Sequence, residues 1–174
     1  MSLNTDTIVH PRLHHIGLTT SNGPRMAEWY RQVLGMVVVH ETQSAAPAHA
    51  GVPPIKSIWM SNDEANHRLA LVEVPGLEVN AERSHHSRVQ HFAFEYPKLD
   101  DLLGTYQRLK GIGILPVLCT DGGLQTAFYY ADPDGNIVEI NVDNFGNAWT
   151  SGEYIRTSPE LRVIRWASTS ILTR

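Results

Sequence analysis

Cysteine is almost absent from this chain. Among 174 residues only Cys119 is one, so no intrachain disulfide can form. Long apolar runs are missing too, none approaching the roughly 20 residues that a membrane-spanning helix needs. Positive charge is in deficit: 14 Lys and Arg against 18 Asp and Glu leave a formal net charge of −4. That balance argues against nucleic acid or an anionic membrane as the main partner. The first residues, MSLNTDTIVH, lack the basic and apolar regions of a secretory signal. Together these absences lead to the expectation of a soluble cytoplasmic protein. What is present, 42% apolar and 18% charged residues, suits one compact unit or two small halves sharing a core. The unusual count is histidine, at nine.

Two of the histidines sit inside strand-like apolar runs, LHHIGL at 13–18 and VQHFAF at 89–94. Aligning His15 with His91 also aligns the helical stretches C-terminal to them. PRMAEWYRQVLG and LDDLLGTYQRLKG both show helical spacing of apolar residues: Met26, Trp29, Tyr30, Val33 and Leu34 in one, Leu99, Leu102, Leu103, Tyr106 and Leu109 in the other. Each opens on Pro or acidic residues and closes on Gly. From His15 to Gly35 is 20 positions, and from His91 to Gly111 is again 20. That spacing predicts an internal repeat and fixes its register.

Three strand candidates come after each helix: 36–42, 55–61 and 67–74, then 114–118, 125–131 and 136–142. ADPDGN at 131–136 reads as a turn. The predicted fold is α+β, with a βαβββ module at 11–80, a second at 87–142, and an extension at 143–174 without clean periodicity. Residues 43–54 and 75–88 read as loops. One module alone would leave one face of its sheet open, and two such faces are expected to close into a shared cavity.

Side chains alternate along a strand. His15, Gly17 and Thr19 are then expected on one face, and His91, Ala93 and Glu95 on the equivalent face. His14, Ile16 and Leu18 go to the other. Small residues two places after each histidine leave room above the sheet. In NIVEINV, Glu139 sits mid-strand between Val138 and Ile140, and a buried carboxylate without a partner is costly. A lone strand histidine is more often a hydrogen-bonded core residue than a ligand. Repeat equivalence and the nearby carboxylate shift the reading to a metal site of His15, His91 and Glu139. Two His and one carboxylate leave three adjacent octahedral positions open, which suits Fe(II). His10, His40, His49, His85 and His86 read as surface residues, and Trp29 and Tyr30 as helix core.

The motifs HHIGL, WYRQVLGM, VQHFAFE and FYYADPDGNIVEI together resemble the vicinal oxygen chelate superfamily over about residues 11–145. Within it they are most similar to type I extradiol dioxygenases of the 2,3-dihydroxybiphenyl 1,2-dioxygenase kind. The resemblance implies metal ligands at His15, His91 and Glu139. HRLAL matches the family's catalytic-histidine pattern and implies His67 as acid/base. A Tyr ten positions before the metal Glu implies Tyr129 as a hydrogen-bonding group. The segment VLCTDGGLQT has no histidine where that family often has one. The implied cofactor is Fe(II), with Mn(II) as the alternative. The implied partners are an aromatic diol, O2 and a second copy in a homodimer.

Two other functions compete. A glyoxalase-type isomerase or epimerase would take a fourth ligand from the first half, and Glu73 in HRLALVEV is the candidate. An antibiotic-binding protein would use the same cavity, often without metal; the intact triad argues against it.

Overall fold

Asn22 and Gly35 bracket the first predicted helix. The computed structural model describes residues 8–43, 55–78 and 80–162, and places α1 at Gly23–Leu34. The Asn22 side-chain oxygen accepts from the Arg25 N–H at 3.0 Å, satisfying a donor that has no partner inside the helix. Gly35, at φ +65°, turns the chain away in a conformation that suits glycine. Met26, Tyr30 and Val33 are fully buried on α1, and Trp29 is nearly so, as the helical spacing predicts. Helix α2, Leu99–Gly111, opens on Asp100 and Asp101 and buries Leu102 and Leu109. It includes Gly111 as its last residue; Gly113, at φ +81°, takes the left-handed stop position instead.

Eight strands complete two tandem βαβββ modules. The first holds β1 (Ile16–Thr20), β2 (Val37–Gln43), β3 (Lys56–Ser61) and β4 (Leu69–Glu73). The second holds β5 (Phe92–Tyr96), β6 (Leu118–Asp121), β7 (Gln125–Ala131) and β8 (Ile137–Asp143). Their orders are β1-β4-β3-β2 and β5-β8-β7-β6. In each sheet the first strand runs parallel to the last and the other pairs are antiparallel. The architecture is the α+β fold expected.

The repeat is legible in the burial as well. Phe92 is buried while Ala93 and Glu95 are exposed on β5, and Gly17 and Thr19 are exposed on β1. The helix-facing residues are therefore those that alternation assigns, and the opposite face of each sheet is the more open one.

Two expectations need correcting. A strand was expected at 114–118, but β6 begins at Leu118. Pro116 has no N–H to give a ladder, and Leu115 and Val117 are exposed, so that apolar run has no face to bury. Pairing starts with the Val117 N–H donating to the Tyr129 carbonyl at 2.7 Å. The extension beyond 142, expected to be irregular, contains α3 (Ala148–Thr157) and a 3₁₀ turn at Pro159–Arg162. Asn147 caps α3, its side-chain oxygen accepting from the Thr150 N–H at 2.8 Å. Residues 44–54, with His49, lie outside the described residues, as do 163–174.

The chain falls into two compact units: Met1–Ala27 with Leu34–Leu77, and Glu28–Val33 with Glu78–Arg174. The first has Met26, Met60, Leu69 and Leu71 in its core, each at most 1% exposed. The second has Leu102, Leu109, Phe128, Tyr130, Val138 and Ile140, equally buried. Each such side chain contributes roughly 1.5–3 kcal/mol by leaving water.

A polar knot sits in that second core. Asp132 opens the DPDGN turn and is 4% exposed. One of its oxygens accepts from the N–H groups of Asp134 and Asn136 at 3.0 and 2.8 Å. The other accepts from the Tyr30 hydroxyl at 2.9 Å and the Asn136 amide at 2.8 Å. Burial still holds this carboxyl above the ordinary range, with the four bonds working against the shift. Burial, and next to it the Asp132 charge, also push the Tyr30 phenol upward, so it stays a donor. Tyr30→Phe is expected to lower stability by about 1–3 kcal/mol, because it removes a hydrogen bond to a buried carboxylate. Urea unfolding monitored by fluorescence would measure this, and an unchanged midpoint would show the bond to be dispensable.

Candidate functional site

The open face of the second unit carries Glu139 at its centre. In β8 it lies directly between Ala93 of β5 and Tyr129 of β7. Its side chain is 3% exposed although it carries a carboxylate. One oxygen, Oε1, accepts from the Gln125 amide at 2.7 Å and the Asn141 amide at 2.8 Å. The other, Oε2, faces His91 Nε2 at 3.0 Å. His91 Nδ1 meets the amide oxygen of Gln90, an acceptor only. A proton on Nδ1 would serve that contact and leave Nε2 with a lone pair.

In that tautomer Nε2 and Oε2 are two acceptors facing each other, and a proton or a metal between them joins the pair. Two ligand atoms about 2.1 Å from one metal, at right angles, lie about 3.0 Å apart. The observed 3.0 Å is compatible with that spacing as well as with a hydrogen bond, and the donor types, an imidazole nitrogen and a carboxylate oxygen, fit a divalent cation. Ala93, with no side chain beyond Cβ, keeps the space above the pair open. The Tyr129 ring meets the His91 ring edge-on at 5.6 Å between centroids. Burial, followed by the Glu139 carboxylate beside it, pushes the Tyr129 phenol up to about 12. It keeps its proton at neutral pH and is available as a donor.

The first unit carries a second cluster, made by the parallel pairing of β1 with β4. Because Ile16 is opposite Leu69, the residues just before both strands meet at one end. The rings of His15 and His67 are 4.3 Å apart, and His14 Nδ1 lies 2.9 Å from His15 Nδ1. One ring nitrogen from each of the three lies within 4.8 Å of the others, a spacing that can hold a metal ion. Trp59 stacks on His67 at 4.7 Å and 23°. His67 Nδ1 donates to the Asn66 side-chain oxygen at 2.7 Å, which leaves its Nε2 free as a base. Burial, followed by the neighbouring His15 and His14, holds the His67 imidazole below its ordinary range, so it is neutral at neutral pH.

Alternation was expected to send His14 and His15 to opposite faces. β1 begins at Ile16, so both precede the strand and the alternation does not reach them. Gln125 and Asn141 were not singled out from the sequence, although both share the face of Glu139 by parity. Nor was α3, which covers part of the same open face. Ser151 and Ile155 of that helix, with Gln125, Asn141 and Glu95 of the sheet, line a cavity of about 280 Å³. Four of the five histidines read as surface residues, His10, His40, His85 and His86, are exposed.

Comparison with known proteins shows the family and the fold. Residues 12–140 match the model of the Glyoxalase/Bleomycin resistance protein/Dioxygenase superfamily. The chain is 36% identical over 147 residues to biphenyl-2,3-diol 1,2-dioxygenase 3 of Rhodococcus globerulus, covering 84% of this chain and 71% of that protein. It is 34% identical over 135 residues to biphenyl-2,3-diol 1,2-dioxygenase 2 of the same organism, covering 78% of this chain but 64% of that one. Among solved structures, the glyoxalase I of Leishmania major superposes with a TM-score of 0.60 at 15% identity, covering 84% of this chain and 97% of that one. At that identity the likeness concerns the fold.

Glu73, the candidate fourth ligand, is engaged elsewhere. Its Oε2 accepts from the Gly23 N–H at 2.8 Å, at the start of α1, and Lys56 lies 3.7 Å from its other oxygen. A negative charge there favours the helix N-terminus. Glu73→Ala is therefore expected to lower stability by about 0.5–2 kcal/mol, while leaving metal affinity as in the unmutated chain. Thermal unfolding and metal titration of the same sample would separate the two effects; a large loss of metal affinity would restore Glu73 as a ligand.

Proposed function

This chain belongs to the Glyoxalase/Bleomycin resistance protein/Dioxygenase superfamily, and from that premise we propose that it is an extradiol dioxygenase acting on a catechol-type aromatic diol with O2. What supports this most is the buried Glu139 carboxylate facing His91 Nε2 at 3.0 Å, with Tyr129 directly across the β7–β8 ladder. A glyoxalase-type isomerase has less support, because Glu73 is held at the start of α1.

In this reading His15, His91 and Glu139 would hold the metal. Fe(II) held there would supply the Lewis acidity and the redox chemistry that bring diol and dioxygen to react. His67, neutral and with Nε2 free, takes a proton from the diol and returns it as the ring opens. Tyr129, which keeps its proton, donates a hydrogen bond to a substrate oxygen and orients it. Both atoms of O2 end in the ring-opened semialdehyde. The partners are the diol and O2, in a homodimer.

The test is anaerobic loading with Fe(II), then exposure to air with a panel of catechols. A yellow ring-opened product, matched by oxygen uptake and absent from a His15→Ala control, is the expected outcome. Bound iron with neither colour nor oxygen uptake would overturn the reading. His67→Ala is expected to keep its iron and lose about 10²–10⁴ in turnover, the range for general acid–base help. Unchanged turnover would remove His67 from the chemistry.

A further inference from the structure

Glu139 raises a question that its role as a ligand does not answer. A metal-bound carboxylate can bind through one oxygen or through both. If it used both, it would occupy one of the positions that diol and dioxygen need. The same oxygen of Glu139, Oε1, receives both neighbouring amides, from Gln125 at 2.7 Å and Asn141 at 2.8 Å. Oε2 receives neither and is the atom at 3.0 Å from His91 Nε2.

The two amides reach Oε1 from different places. Asn141 is two residues along β8, on the same face as Glu139 and 8% exposed. Gln125 begins β7, the strand antiparallel to β8, and is half-buried. An amide NH2 donates and cannot bind a cation, so two of them on Oε1 oppose any turn of the carboxylate that would bring that oxygen to a metal. They also supply two of the hydrogen bonds that a buried carboxylate requires.

We propose that Gln125 and Asn141 are positioning residues that pin Oε1 of Glu139, so that the carboxylate binds its metal through Oε2 alone. This rests on the metal-site reading above and adds a specific geometry to it. It also assigns two residues a role in keeping coordination positions free.

Co(II) serves as the probe, because its visible spectrum reports coordination number and its binding does not depend on turnover. The variants are Gln125→Met, Asn141→Leu and the double variant. Each single variant is expected to weaken Co(II) binding by about tenfold and the double by about a hundredfold, the range for removing partners of metal ligands. The spectrum is expected to shift as Oε1 joins the metal. Gln125→Met, at a half-buried position, keeps the test open if Asn141→Leu fails to fold. An unchanged Co(II) spectrum in the variants, whatever their affinity, would overturn the proposal and leave the dioxygenase reading intact. If the unmutated chain binds Co(II) and the variants behave as expected, but Fe(II)-loaded protein consumes no oxygen, the dioxygenase reading falls and the clamp stands. An unmutated chain that binds no divalent metal would overturn both.

Discussion

A carboxylate buried in the middle of a sheet is the constraint around which the second module is arranged. Glu139 is 2% exposed, and an ionised group so placed is destabilising unless donors and a cation surround it. Its neighbours answer each requirement. Gln125 and Asn141 donate to one oxygen, and His91 faces the other. The strand order β5-β8-β7 places β8 between the strands that bring His91 and Tyr129. A β8 with Val or Ile at 139 would pack more easily and would leave those polar groups without a common target. The arrangement gives up packing stability at that position in return for a site.

The two modules share a second device. Each histidine of interest has its Nδ1 engaged by the side chain just before it in sequence: His15 by His14, His67 by Asn66, His91 by Gln90. At His67 and His91 the partner is an amide oxygen, which accepts only, and at His67 the 2.7 Å bond puts the proton on Nδ1 and leaves Nε2 its lone pair. One of the two Nε2 atoms faces Glu139 and the other is free as a base. At His15 the partner is another imidazole, which can donate or accept, so the local rule does not fix that tautomer.

Much of this was legible because it is local. The matched spacing from His15 to Gly35 and from His91 to Gly111 is a property of strand and helix periods, and both modules form where it places them. Parity put Ala93 and Glu139 on one face, since β5 and β8 are regular through that stretch, whereas His91, like His15, stands one residue before its strand. The errors occur where tertiary pairing decides. His14 and His15 lie before the first paired residue of β1, so counting alternate faces from them had no physical basis. Pro116 made an apolar run look like a strand that its missing N–H prevents. Helix α3 starts at its Asn147 cap and buries only Ser151, leaving Trp149 and Ile155 exposed, so apolar periodicity did not reveal it. Gln125 and Asn141 were within reach of parity, but amides on an open face have no signature until the carboxylate they serve is in view.

The fold by itself does not choose between ring cleavage and isomerisation, because one scaffold hosts both kinds of chemistry. The choice rests on where carboxylates can reach. In the β1–β4 ladder Glu73 is opposite Thr20, five residues along the strand from His15. At about 3.3 Å per residue that is about 17 Å. No single metal bound by His15 can also be bound by a side chain anchored so far along the same ladder. Glu73 lies at the opposite end of the sheet from the His15–His67 cluster, beside the first turn of α1. An isomerase that needs a second carboxylate on a metal held by His15 would have to find it elsewhere than at Glu73.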